Sequence, residues 1–329
     1  MTIANDDCDS DRRRMLKLAA ASIAVPLLPM FIANAAPLTY TLTPQKIDDG
    51  VWMIAGVQEA ITFENGGAIA NITILDSKDG AIVVDTGPSR RYGEQLATLA
   101  RDLTGKDIAR VYITHFHPDH AFGNQGFDVA KVAAPDGVIK GLAAMGNSFS
   151  DAMYYIARDW MRGTEIVLPS KTVTEGIEEI GGRKLRLIPR AGHTASDLAI
   201  LDETSGTLIA GDLAFLDRAP TTPHADLATW QSTLKELGDI QCRLLIPGHG
   251  PADADKRALN QTHDWLIAIQ EIIERCFNEG QDMPEAMQAP LPKAFEGMAL
   301  ARYEFTRSVM HLYPKLEAAK LPSVGAREK

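Results

Sequence analysis

The amino-acid sequence predicts an α/β fold, because segments with strand-like and helix-like patterns alternate along it. The continuous apolar run at residues 81–84 ends at Asp85, as expected for a buried strand that is followed by a tight loop. Leucines then recur at helical spacing within residues 92–103, and a second apolar strand follows at 108–113. Strand, helix and strand in this order indicate an α/β architecture.

Further strand-like segments share a pattern at their ends. They occupy residues 51–55, 68–75, 185–188, 207–210 and 244–247. Each of the last three leads to a glycine and a potential ligand: His193, Asp212 and His249. Glycine lets the backbone turn sharply beneath a site, and rigid strands fix the positions of ligands in the loops that follow them. We therefore expect the ends of these strands to build a functional site.

Helical patterns dominate three other regions, at residues 137–160, 227–237 and 256–320. Trp230 lies on the apolar stripe of the second region, which predicts a core residue rather than a substrate contact. A proline-containing break at residues 288–292 divides the third region. We expect residues 36–255 to form the main domain and residues 256–329 to form a helical extension packed on it.

Residues 114–120 concentrate potential metal ligands directly after a predicted strand. The segment reads Thr-His-Phe-His-Pro-Asp-His and contains His115, His117, His120 and the carboxylate of Asp119. Imidazole and carboxylate groups bind zinc and related divalent cations, and the turn at Pro118 lets neighbouring side chains point in different directions. A surface histidine cluster is the alternative, but this density of ligands favours a metal site.

The charge of the chain argues against a nucleic-acid partner. The protein has 329 residues, of which 45% are hydrophobic, so it can bury a substantial core. Its formal net charge is −10, whereas proteins that bind nucleic acids present extended basic surfaces. We therefore expect a small-molecule substrate.

The first 35 residues have the features of a cleavable export signal. Three arginines at positions 12–14 precede an apolar stretch at residues 18–32, and Ala33 and Ala35 fit the usual cleavage pattern. The paired arginines resemble a twin-arginine signal, which predicts cleavage after Ala35 and a periplasmic location. An uncleaved anchor facing the periplasm is the alternative, although Pro26 and Pro29 interrupt the short apolar stretch.

The cysteines do not form a recognisable metal or redox motif. Cys8 belongs to the predicted signal, and Cys242 and Cys276 lack Cys-x-x-Cys spacing. The spacing predicts buried apolar residues and leaves a disulfide between Cys242 and Cys276 open, because the sequence does not give the distance between them.

Five sequence elements follow one another in an order that resembles the metallo-β-lactamase-fold superfamily. They are Asp85-Thr86-Gly87, His115-x-His117-x-Asp119-His120, Gly192-His193-Thr194, Gly211-Asp212 and Pro247-Gly248-His249-Gly250. The resemblance covers residues 45–255. It implies a four-layer αββα sandwich with C-terminal helices and a dinuclear metal site along one edge of the paired sheets.

The resemblance also implies a role for each candidate ligand. The first metal would be held by His115, His117 and His193, the second by Asp119, His120 and His249, and Asp212 would bridge the two. Asp85 would support the site from behind the ligands by orienting an imidazole. His224 follows the bridging position and either lines the cleft or simply occupies a loop.

These implied ligands predict a zinc-dependent hydrolase. Two Zn²⁺ ions can share a hydroxide that attacks a carbonyl carbon, and Asp119 would orient that hydroxide and pass on its proton. Two divalent cations carry one more positive charge than Asp119, Asp212 and a hydroxide carry negative charge. We therefore expect an anionic substrate, with a carboxylate or a developing thiolate, such as a thioester, a lactone or a related ester.

Two further segments resemble an exported branch of the superfamily, the quinoprotein-relay zinc metallohydrolases. These segments are residues 217–221 and 301–314. The resemblance implies an association with a periplasmic quinoprotein dehydrogenase or a sulfur-oxidation system. The arginine and lysine pattern with which glyoxalase II binds glutathione has no convincing counterpart in this sequence, so that substrate is not carried over.

Three alternative functions follow from the same fold. β-Lactamase activity is the first, although Asp212 resembles the glyoxalase II and general hydrolase branches more than it resembles typical metallo-β-lactamases, which have cysteine or serine there. A persulfide dioxygenase with one Fe²⁺ is the second, but His120 and His249 complete a second metal site and favour the hydrolase. The third is a non-catalytic metal-binding accessory protein.

Overall fold

Two β-sheets form the centre of the computed structural model, which describes residues 38–321. Seven strands form the first sheet in chain order: β1 (Pro44–Asp48), β2 (Val51–Ile54), β3 (Ile72–Ser77), β4 (Gly80–Val84), β5 (Ile108–Tyr112), β6 (Val132–Pro135) and β7 (Lys171–Val173). Five strands form the second sheet: β8 (Gly176–Ile180), β9 (Arg183–Arg190), β10 (Asp197–Asp202), β11 (Thr207–Phe215) and β12 (Leu244–His249). The spatial order of the second sheet is β12-β11-β10-β9-β8.

Strand direction brings the ligand-bearing segments together. Strands β4, β5, β6 and β7 are parallel neighbours, as are β11 and β12, whereas the remaining neighbours are antiparallel. Parallel strands end at the same edge of a sheet. The loops after β4 and β5 therefore lie side by side, and so do the carboxyl ends of β11 and β12.

Helices cover the outer face of each sheet. They are α1 (Arg90–Thr104), α2 (Pro118–Ala121), α3 (Asp136–Ala157), α4 (Leu227–Asp239), α5 (Arg257–Asn278), α6 (Met283–Ala286) and α7 (Ala301–Lys320). Short 3-10 helices occupy Phe122–Gly126, Val129–Lys131, Arg158–Met161 and Lys293–Phe295. Helices α1 and α3 pack on the first sheet, and α4, α5 and α7 pack on the second.

Three apolar cores separate the layers, and side chains from alternate strand positions enter different cores. Ile82 and Ile200 contribute to the core between the two sheets. Val83 enters the core beneath α1 and α3, and Leu201 enters the core beneath α4, α5 and α7. This alternation is the consequence of strand geometry. The predicted four-layer αββα sandwich with C-terminal helices is confirmed.

Local chemistry fixes the ends of the helices that flank the site. Ser89 caps the start of helix α1 by accepting a hydrogen bond from the backbone N–H of Tyr92, and Gly105 caps its end in the left-handed region. Asp226 caps α4 in the same way by accepting from the N–H of Thr229. Trp230 in α4 is fully buried, as its apolar stripe predicts.

Strand boundaries differ from the predictions at two places that matter for the site. The strand predicted at residues 68–75 begins only at Ile72, because Ile69 bonds back to Gly67 and Asn71 bonds to the end of β12 instead of to a neighbouring strand of the first sheet. Strand β11 continues past the predicted residue 210 to Phe215, since residues 213–215 remain buried in the outer core. Asp212 and His249 therefore lie within strands and not in the loops that follow them.

The predicted export signal at residues 1–35 lies outside the described residues. Within residues 38–321, no helix combines the length and the hydropathy that crossing a membrane requires. Cys276 is buried, Cys242 is half-buried, and both are free thiols in the structure.

Candidate metal centre

Potential ligands from both sheets meet at the edge where their strands end. The loop after β5 and the short helix α2 supply His115, His117, Asp119 and His120, the loop between β9 and β10 supplies His193, β11 supplies Asp212, and β12 supplies His249. All seven side chains are buried. The structure thus brings together every residue that the resemblance nominates as a ligand.

Three imidazole nitrogens converge in the first ligand cluster, which consists of His115, His117 and His193. Nδ1 of His117 lies 3.0 Å from Nε2 of His115 and 2.9 Å from Nε2 of His193. Burial lowers the pKa of each of these histidines well below its ordinary value, so the rings are neutral. Neutral nitrogens that point at one another in a buried site are a suitable donor set for a divalent cation.

The second ligand cluster consists of Asp119, His120 and His249. Oδ2 of Asp119 lies 3.6 Å from Nε2 of His120 and 3.4 Å from Nε2 of His249. These potential donor atoms lie within 4.8 Å of one another. Oxygen and nitrogen donors in this combination suit zinc and several other divalent ions, so the donor set alone does not select one metal.

Asp212 lies between the two clusters, with one carboxylate oxygen towards each. Its Oδ2 is 3.7 Å from Nε2 of His115 and 3.3 Å from Nε2 of His193. Its Oδ1 is 3.1 Å from Nε2 of His120 and 3.3 Å from Nε2 of His249. A single carboxylate can therefore contact both halves of the centre.

The polar atoms at the middle of the centre fit bound cations. Nε2 of His120 and Oδ1 of Asp212 are buried and make no hydrogen bond, although they are close together. Burial disfavours a charged His120, but the carboxylates of Asp212, Asp119 and Asp85 outweigh burial and raise its pKa well above the ordinary value. The centre thus attracts positive charge, which a divalent cation supplies in place of a proton.

Asp85 holds one ligand imidazole from behind. Its Oδ2 lies 2.7 Å from Nδ1 of His120 and accepts a hydrogen bond of 2.8 Å from the hydroxyl of Thr114. Its Oδ1 accepts a hydrogen bond of 2.7 Å from the backbone N–H of Thr114. An Nδ1–H that is donated to Asp85 leaves Nε2 of His120 free for a metal, which is the supporting arrangement that the resemblance implies.

Of the other outer contacts, the sequence raised only the one that involves His224, as one of two interpretations. Nδ1 of His249 donates to the carbonyl oxygen of Ile69 over 2.7 Å, and Nδ1 of His115 lies 3.0 Å from the hydroxyl of Thr114. Nε2 of His117 lies 2.9 Å from Nδ1 of His224, so His224 lines the cleft. The contact with the carbonyl oxygen of Ile69 could not be found from the sequence, because a backbone carbonyl is not marked by any residue type. Only His224 was visible in the sequence as a potential contact.

Gly248 leaves room for the Asp212 carboxylate, and Gly211 adopts a backbone conformation that favours glycine. A Cβ atom at Gly248 would lie 2.0 Å from Oδ1 of Asp212. Gly211 has a φ angle of 53° in the left-handed region, at an irregularity in the pairing of β11 with β12. Within the strands, Gly248 therefore allows the close approach of the Asp212 side chain, and Gly211 allows a left-handed backbone conformation.

A cavity of about 330 Å³ opens over the centre. His117, Asp119, Asp212 and His249 reach it from the two ligand clusters and the bridge. Its apolar wall consists of Ala60, Ile61, Phe149, Ala152, Met153 and Ile156. Its polar wall consists of Arg218, Thr221, His224, Tyr303, Glu304 and Arg307. A small amphipathic molecule can therefore reach the ligands.

Known proteins resemble this chain in both sequence and fold. A linear primary-alkylsulfatase of a Pseudomonas species is 21% identical over 72% of this chain and 53% of its own length. A beta-lactamase-like protein 2 homolog of Caenorhabditis elegans is 27% identical over 65% of this chain and 66% of its own length. An atrochrysone carboxyl ACP thioesterase of Aspergillus fumigatus is 24% identical over 69% of this chain and 68% of its own length. The chain thus spans 53% to 68% of the length of these relatives.

Solved structures support the fold independently. A metallo-beta-lactamase from Pontibacter korlensis superimposes with a TM-score of 0.56 at 23% identity, over 69% of this chain and 99% of that one. Likeness at this level of identity establishes the architecture and not the substrate. The sequence model of the family described as "Metallo-beta-lactamase superfamily" matches residues 65–249, which is more than half of the chain. The chain therefore belongs to the metallo-beta-lactamase superfamily.

Proposed function

We propose that this protein is an exported zinc-dependent hydrolase that cleaves a carbonyl-type substrate: a thioester, a lactone or a related ester. One observation carries the proposal: the carboxylate of Asp212 faces both ligand clusters, at 3.1 to 3.7 Å from four imidazole nitrogens. Two divalent cations bound there would supply a hydroxide at neutral pH, because a metal ion can lower the pKa of water from about 15.7 to near 7.

The protein side chains have separate tasks in this reaction. Asp119 reaches the cavity with its carboxylate, from where it can orient the nucleophile and accept its proton. Asp85 and the carbonyl oxygen of Ile69 fix the ring orientations of His120 and His249. Burial of these side chains lowers the local dielectric constant and so strengthens the electrostatic interactions at the centre.

The chemistry of the relatives supports an ester-type bond. The names of two of them describe hydrolysis of an alkyl sulfate and of a carrier-protein thioester. Both reactions separate an oxygen or sulfur leaving group from an electrophilic centre. For this chain we favour attack at carbonyl carbon, and an alkyl sulfate belongs in the substrate panel as the competing electrophile.

We further propose export to the periplasm and a link to a quinoprotein dehydrogenase or a sulfur-oxidation system. The sequence of residues 1–35 and the resemblance of residues 217–221 and 301–314 to the quinoprotein-relay branch support this proposal. Replacing Arg12 and Arg13 by lysine should retain the full-length protein in the cytoplasm, as measured by cell fractionation. Export of that variant at the wild-type level would contradict a twin-arginine route.

Metal analysis combined with a substrate panel tests the proposed activity. Purified protein should contain two zinc ions per chain and hydrolyse at least one member of a panel of thioesters, lactones, β-lactams, alkyl sulfates and persulfides. The variant His249→Ala should lose turnover, whereas His263→Ala, at a histidine outside the centre, should retain it.

Each other outcome identifies an alternative. One iron per chain with oxygen uptake on persulfides indicates a persulfide dioxygenase. Turnover confined to β-lactams indicates a β-lactamase. Full metal loading without turnover of any member indicates a metal-binding accessory protein and contradicts the hydrolase.

A further inference from the structure

Arg218 is a buried cation without an anionic partner at the wall of the metal-centre cavity. Only 3% of its surface is exposed, and it makes no ion pair with a carboxylate in residues 38–321. Its Nε atom makes no hydrogen bond, and the one contact of its terminal nitrogens is a long one of 3.5 Å to the carbonyl oxygen of Glu59. Burying a charge without a partner is costly, so an occupant of the cavity is the expected partner.

The two neighbours of Arg218 in the chain are both hydrogen-bonded to Ala299, which holds the loop in place. The backbone N–H of Ala219 donates to the carbonyl oxygen of Ala299, and the N–H of Ala299 donates to the carbonyl oxygen of Asp217, each over 2.9 Å. The guanidinium carbon lies 6.0 Å from the centre of the Phe215 ring, at the limit of a cation–π contact. That ring in turn stacks on His249 of the second ligand cluster at 5.1 Å. Arg218 therefore has a fixed position close to the centre.

The other charged groups on this wall do not neutralise Arg218. Arg307 donates to both carboxylate oxygens of Glu304, at 3.1 and 2.9 Å, and to the hydroxyl of Thr221. Arg307 and Glu304 thus balance each other, and the positive charge of Arg218 remains.

Apolar side chains on one face of α3 also line this cavity. They are Phe149, Ala152, Met153 and Ile156, which follow one another at helical spacing. An occupant that pairs with Arg218 and packs against these apolar side chains has one oxyanion group and an apolar body. Guanidinium groups bind carboxylate, sulfate and sulfonate with two parallel hydrogen bonds.

We propose that Arg218 is the anion-binding subsite of this cavity and selects an amphiphile with an oxyanion group and an alkyl or aryl body. The assignment rests on the proposed hydrolase function for its placement beside a reacting centre. It adds the substrate class and the residue that recognises it. Arg218 is a specificity residue, since it contacts the substrate and none of the atoms that react.

Binding of inert probes tests the subsite without turnover. Octanesulfonate and 1-octanol share an apolar body and differ in charge, and a sulfonate is a weak ligand for zinc. We expect the metal-loaded protein to bind octanesulfonate about 10- to 100-fold more tightly than 1-octanol in calorimetry, which is the range for hydrogen bonds between charged groups. Arg218→Met keeps an unbranched side chain without the charge and should reduce this preference to near unity.

A matched variant separates the subsite from general charge. Arg257→Gln removes a positive charge beside the same loop, where Arg257 lies 3.5 Å from the carboxylate of Asp217 and outside the cavity. It should leave the preference unchanged. Equal binding of both probes by the wild type, or an unchanged preference in Arg218→Met, overturns the proposal.

A crystal structure of the metal-loaded wild type with octanesulfonate decides the matter if Arg218→Met does not fold. A sulfonate within hydrogen-bonding distance of the Arg218 guanidinium supports the subsite, and a sulfonate bound anywhere else overturns it. Neither measurement needs catalysis. If no member of the panel is hydrolysed, the proposed hydrolase function is wrong, but the binding measurements still test the subsite. If a member is hydrolysed and the protein shows no preference for the anionic probe, only the subsite proposal is wrong.

Discussion

Replacing Asp85 by asparagine isolates the contribution of a residue that touches a ligand and not the metal. The carboxylate of Asp85 meets Nδ1 of His120, the hydroxyl of Thr114 and the backbone N–H of Thr114 within 2.7 to 2.8 Å. An asparagine oxygen can keep the backbone contact, but its amide N–H groups then face His120. The ring must either lose its hydrogen bond or move its proton to Nε2, where it blocks the metal.

The lost contact sets the magnitude of the effect. A hydrogen bond to a charged group contributes about 1.5 to 3 kcal/mol, which corresponds to about 10- to 100-fold in affinity. We expect Asp85→Asn to weaken the second equivalent of zinc by this factor and to affect the first much less, because Asp85 contacts His120 directly and reaches His115 only through the hydroxyl of Thr114. Zinc titration against a chromogenic chelator measures both constants.

A control variant and two refuting outcomes make this test decisive. Asp49→Asn removes a fully exposed carboxylate and should change neither constant. If Asp85→Asn binds the second equivalent as tightly as the wild type does, Asp85 does not orient His120. Equal weakening of both equivalents would also refute the reasoning, since it would indicate a general loss of structure.

Three further substitutions probe the centre. His117→Ala should weaken or empty the first site and abolish turnover; full metal content with near-normal activity would refute its assignment. Asp212→Ala should lower the content of both metals together in elemental analysis, because its two oxygens face different clusters, and loss of one metal with surviving catalysis would disprove the bridge. Gly248→Ala should lower both metal content and activity, because its Cβ would lie 2.0 Å from Oδ1 of Asp212, whereas Gly238→Ala, where nothing lies within 4 Å, should change neither metal content nor activity.

The ligands could be predicted from the sequence because metal chemistry admits few residue types. Histidines and carboxylates in residues 114–120, and single ligands beside glycines at positions 193, 212 and 249, are visible without coordinates. The layer architecture follows from the same ordered motifs through the family resemblance. The predictions of the candidate ligands and of the layer architecture therefore both depend on residue types that can be identified in the sequence itself.

The outer contacts could not be predicted, because they depend on the path of the backbone. The carbonyl oxygen of Ile69 reaches His249 only because the chain turns at Gly66 and Gly67 before β3 begins. The extension of β11 through Asp212 depends on burial of the residues beyond it, which three-dimensional packing decides. The burial of Arg218 is of the same kind, since residues eighty positions later hold its loop.

The candidate ligands and part of the cavity lining come from different parts of the chain. All seven candidate ligands lie within residues 65–249, the part that the superfamily shares. Tyr303, Glu304 and Arg307 of α7 lie beyond that part, yet they line the cavity, and a hydrogen bond of 2.7 Å between the hydroxyls of Ser308 and Thr222 joins α7 to the loop after β11. The candidate ligands therefore lie in the part that the family shares, and we expect substrate choice to depend in part on the cavity residues that α7 contributes. Relatives that lack an equivalent of α7 should differ from this protein in substrate even where every ligand is retained.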